Sequence, residues 1–69
     1  MTKMFIENTV KVVNKHNGRE YDMFEQVVDL NFDGKMVHRY NIGINGYHNW
    51  YHVENIYSED RFNANYERI

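Results

Sequence analysis

Asn17-Gly18, Asp33-Gly34 and Asn45-Gly46 divide the chain into four runs in which apolar and polar residues alternate. Asn-Gly and Asp-Gly supply adjacent residues that tolerate positive φ, which a two-residue type I′ hairpin demands. Alternation with a period of two buries one side of an extended strand, so three such turns predict a four-stranded antiparallel meander. The strands are expected at 4–16, 19–32, 35–44 and 47–57, with residues 1–69 forming one domain.

Two-residue turns set the register, because cross-strand partners count outward from each turn. Val12 then faces Met23, Val10 faces Glu25, and Val27 faces Tyr40, itself opposite Tyr51. One face of the sheet collects Ile6, Val10, Val12, Met23, Val27, Met36, Tyr40, Ile42, Ile44, Tyr47, Tyr51 and Val53, interrupted by Glu25, Asp29, His38 and Asn49. The other face is split. Val28, Leu30, Phe32, Val37 and Ile56 make an apolar half, while Lys11, Gln26, Arg39, Asn41, His48, Trp50 and His52 surround Phe24 on the other half.

In the tail, Phe62, Tyr66 and Ile69 recur at i, i+4 and i+7, a helical stripe. Ser58 is placed to cap such a helix, with Glu59 and Asp60 in its first turn. So short a helix forms only by docking, and the half bearing Leu30, Phe32 and Ile56 is its expected seat. The expected fold is therefore mainly β, a four-stranded antiparallel meander with a short C-terminal helix or tail packed on one face. Both faces remain partly apolar, and two solutions are open. The sheet curls into a small SH3-like barrel, bending its second strand around Glu25-Gln26, or two chains stack their faces as a homodimer.

Composition narrows the function. Cys is absent, so disulfides are excluded, which fits the cytoplasm. The first eight residues lack the apolar stretch of a signal peptide, and no segment is apolar enough to span a bilayer, so no membrane partner is expected. A net charge of −2, with acids and bases scattered, argues against a basic nucleic-acid binder. Aromatics are 16% of the chain, chiefly Tyr, more than so small a domain can bury. Exposed Tyr and Trp are what protein interfaces favour.

No catalytic constellation emerges. His48 and His52 have the H-x-x-x-H spacing that joins two ligands on a helix, but on a strand they lie about 13 Å apart. His38 falls on the other face, so no metal site is expected. Asp29 and His38 face one another in this register without a nucleophile beside them, since the single Ser is Ser58. The glycines belong to hairpins, and Gly43 marks a bulge or makes room for Phe24. Neither catalytic residues nor a cofactor are expected.

The expectation is a small non-enzymatic protein-binding module. Arg39, His48, Trp50 and His52 would make the contact, with Tyr47 and Tyr51 beside them, because Trp and Arg dominate binding hot spots. The competing role for Trp50 is core packing. The general style suits a phage or mobile-element accessory protein that inhibits a host factor. The alternative is a small nucleic-acid-binding β-barrel that stacks bases on Trp50 and Tyr51 beside Arg39 and Lys11.

Overall fold

The computed structural model describes residues 6–69. Strands β1 (Val10–Asn14), β2 (Glu20–Asp29), β3 (Met36–Gly46) and β4 (Asn49–Ile56) form the expected meander. Helix α1 (Glu59–Asn65) then crosses one face and delivers β5 (Tyr66–Arg68) to the far edge, giving the order β4-β3-β2-β1-β5. All pairings are antiparallel. The sheet stays open with β4 and β5 at opposite edges, so the curled barrel is not formed. No helix among the described residues is long and apolar enough to cross a membrane.

Each hairpin differs from a two-residue turn at the predicted dipeptide, and each difference has a local cause. In the first, Asn14 pairs with Arg19 through its backbone, and its side-chain oxygen accepts from His16 N at 2.8 Å and Asn17 N at 3.1 Å. The loop thus holds four residues, with Gly18 at φ 72°. In the second, the Asp29 carboxylate accepts from the amides of Asp33 at 3.1 Å and Gly34 at 2.7 Å, which stretches the loop to Leu30–Lys35. In the third, the turn sits at Tyr47-His48, with His48 at φ 62°, while Asn45 and Gly46 stay in β3.

The observed pairs are therefore Val10↔Met23, Val12↔Tyr21, Glu25↔Tyr40, Val27↔His38 and Ile44↔Tyr51. The first two hairpins each shift by two residues, which leaves side chains of β1, β2 and β3 on their expected faces. Asp29 faces Met36 rather than His38, and His38 instead reaches Glu25 at 3.3 Å. In β4 the register slips between Ile42 and Gly43, and Val53 is the extra residue of a bulge. The bulge turns Ile56 onto the face of Tyr40 and Ile42, opposite to expectation.

The tail follows the same correction. Ser58 Oγ accepts from Arg61 N and opens α1 as expected. Phe62 and Tyr66, however, pack on Val12, Met23, Tyr40, Ile42 and Ile56, not on the half bearing Leu30 and Phe32. Leu30 and Phe32 lie exposed in the second loop. The helix ends at Asn65, so Tyr66 opens β5 opposite Asn14 and the terminal Ile69 is exposed outside the core. Lys15 ties the helix end down, with its N donating to Asn65 O at 2.8 Å and its Nζ to Asn63 O at 2.6 Å.

The first strand is shorter than expected. Residues 4 and 5 lie outside the described residues, and residues 6–9 form an irregular arm preceding β1. Ile6 leaves the β1 line for β3, where Asn45 Nδ2 donates to Ile6 O at 2.6 Å and Ile6 N donates to Asn45 Oδ1 at 3.3 Å.

Candidate functional site

The face opposite α1 carries Phe24 and Gln26 from β2, Arg39, Asn41, Gly43 and Asn45 from β3, and Trp50 and His52 from β4. Apart from the arm at one end, no element covers this face among the described residues. Trp50 lies opposite Asn45, and its ring is laid across Gly43. A Cβ at Gly43 would stand 2.6 Å from Trp50 Cε2 and 2.5 Å from Tyr51 O, so only glycine permits that seat. Gly43 thus borders the bulge and makes room for Trp50, rather than for Phe24. Phe24 meets the indole edge to face at 5.1 Å and 70°, a favourable quadrupolar arrangement. Trp50 is half-buried, one side on the sheet and the other open.

Amides and charges surround this pair and satisfy one another. Gln26 Oε1 accepts from Arg39 Nε at 3.2 Å, from Arg39 Nη2, and from Asn41 Nδ2 at 3.3 Å. Asn41 also donates to Phe24 O at 3.3 Å. At the other end Asp22, buried, accepts from Asn45 N at 3.0 Å and pairs with Lys11 at 3.2 Å. These bonds hold polar side chains flat against the sheet, as a rim around an aromatic centre.

The residues singled out from the sequence do not all converge. Trp50 and His52 share this face, with His52 opposite Gly43 instead of Arg39. Arg39 shares the face, but four residues along β3 separate it from Gly43, about 13 Å of strand. His48 stands in the turn with its ring 3.9 Å from that of Tyr47, which is almost wholly exposed. Tyr51 points to the opposite face beside Ile44, its hydroxyl accepting from Asn49 Nδ2 at 3.3 Å. Phe24 and Asn41 are the members of the site that sequence reasoning named only as neighbours.

Under α1 lies a different chemistry. Tyr66 donates to Glu54 Oε1, and burial together with that carboxylate pushes its phenol up to about 12. Burial raises the Tyr40 phenol too, reinforced by Glu59 and Glu25. Both phenols stay neutral at physiological pH, as core residues should. Among the described residues no three His, Asp or Glu side chains converge as a metal site. No protein-family model, curated protein or solved structure matches the chain.

Proposed function

We propose that this chain is a non-enzymatic protein-binding module that docks a partner on the open face of its sheet. The observation that carries the reading is the Phe24–Trp50 pair, seated over Gly43 and ringed by mutually bonded polar side chains. An aromatic centre with a polar rim is the anatomy of a protein interface. Arg39 and His52 lie on the rim, while Tyr47 and His48 project from the turn beyond it. In this reading the chain acts by covering its partner's surface, the mode of a cytoplasmic accessory protein that inhibits a host factor.

The test compares capture of a partner from a lysate by the wild-type chain, Trp50→Ala and the control Ile69→Ala. Trp50→Ala should weaken binding by about 2 kcal/mol, near thirtyfold, while its circular dichroism stays that of a folded sheet. Retention of the same partner by folded Trp50→Ala would overturn the reading. Tight binding of a single-stranded oligonucleotide, lost steeply with added salt, would point to nucleic acid instead.

A further inference from the structure

The sheet has four stretches of strand edge, and they are not equally protected. One, Met36–Arg39 of β3 beyond the end of β4, is only four residues long. At one side β4 carries the Val53 bulge, and at the other β5 is only three residues long; both are devices that discourage pairing. The fourth stretch arises because β1 is five residues and β2 ten. β1 pairs with Glu20–Met23 alone, so Phe24–Asp29 has β3 on one side and, among the described residues, no strand on the other. Among the described residues no backbone hydrogen bond from a loop reaches it either. Phe24-Glu25-Gln26-Val27-Val28-Asp29 contains no Lys, no Pro and no bulge. Val27 is 60% exposed along it.

The two ends of this edge complement one another. Where β1 stops, Asn8, Val10, Met23, Phe24, Glu25 and Arg68 line a hollow of about 340 Å³. At the far end the loop Leu30–Lys35 projects Phe32, 94% exposed and at φ 56°. A knob at one end and a hollow at the other, joined by a straight unpaired strand, is self-complementary under a twofold axis.

We propose that Phe24–Asp29 is a dimerisation edge, on which a second copy of this chain adds its own β2 antiparallel about an axis through Val27. Opposite residues in one sheet must share a face, so the axis passes through a residue and not between two. An axis at Gln26 would bring the copy's Asp29 opposite Met23, a place Val10 already fills. An axis at Val27 avoids that collision. It sets Val27 against its own copy, Gln26 against Val28, and Phe24 against Leu30, with each exposed loop carried to the other chain's hollow. Glu25 then faces the copy's Asp29, and Arg68 at 2.5 Å from Glu25 offsets the like charges. The edge shares Phe24 with the binding face but pairs through its backbone, so the inference does not rest on the proposed function.

Sedimentation velocity across micromolar concentrations should show a reversible dimer. Val27→Lys, a charge on an exposed edge position, should weaken association at least tenfold with circular dichroism unchanged, whereas Trp50→Ala should leave the dimer intact. The chain has no Cys, so engineered thiols report cleanly. Mild oxidation should link the chains of Val27→Cys but not of Leu30→Cys, whose two copies would stand about 20 Å apart. A wild-type monomer throughout, a dimer that survives Val27→Lys, one lost with Trp50→Ala instead, or linkage through Leu30→Cys and not Val27→Cys would each overturn the proposal.

Discussion

Under α1, the ring of Phe62 stacks on Tyr40 at 4.7 Å and on Tyr66 at 5.9 Å, above fully buried Val12, Met23 and Ile42. On the opposite face Phe24 and Trp50 meet edge to face, with a polar rim and no second layer over them among the described residues. The first arrangement removes apolar area from water, the main source of folding free energy in so small a domain. The second keeps half an indole in water and spends its polar side chains on one another. Stability is thus concentrated on one side of the sheet, and the proposed recognition surface on the side that stability needs least.

That division can be broken from either side. Phe62→Ala should cost about 3–5 kcal/mol, since it deletes a fully buried ring at the centre of the core. Urea denaturation should show Trp50→Ala to be distinctly milder; equal losses would mean that both faces share the load. Gly43→Ala should cost about 1–3 kcal/mol as an overpacking change, because its methyl meets both the indole and a carbonyl oxygen. Its indole fluorescence should shift to the red as Trp50 lifts from its seat, which sharpens the assignment of that ring to the open face.

The smallest effect is a matter of pH and belongs only to the covered face. The Tyr66 phenol stands at about 12 in the fold against 10.0 for an ordinary tyrosine. Between those values the folded chain holds a proton that the unfolded chain has released. The contribution is therefore complete below pH 10 and is lost as pH rises toward 12. Tyr66→Phe should flatten that part of the alkaline profile in a urea titration, and Trp50→Ala should not.

The alternation and turn chemistry were enough to read four antiparallel strands and, through the register the turns set, the face shared by Val12, Met23, Tyr40 and Ile42. It survived two misplaced turns because each hairpin moved by two residues, an even number that keeps every side chain on its side. The displacements had a signal in the sequence. Asn14 and Asp29 stand at the strand ends, where a side-chain oxygen can gather loop amides and lengthen the loop. The Val53 bulge had one across the strand in Gly43, but nothing in β4 itself said which residue would be the extra one. It alone sent Ile56 under the helix.

Ser58 with two following acids determined where the helix begins, and Trp50 and Gly43 each stood out singly, though Gly43 was read as room for Phe24 and only the structure seats the indole on it. Which face the helix covers, and that its last turn becomes a fifth strand beside β1, was decided only in three dimensions. The reason is the range over which each choice acts. A cap or a turn is settled by neighbours a few residues away, so the sequence carries it locally. The side on which Phe62 is buried depends on Val12, Met23, Ile42 and Ile56 together, residues from four strands that share a surface only after the sheet has formed.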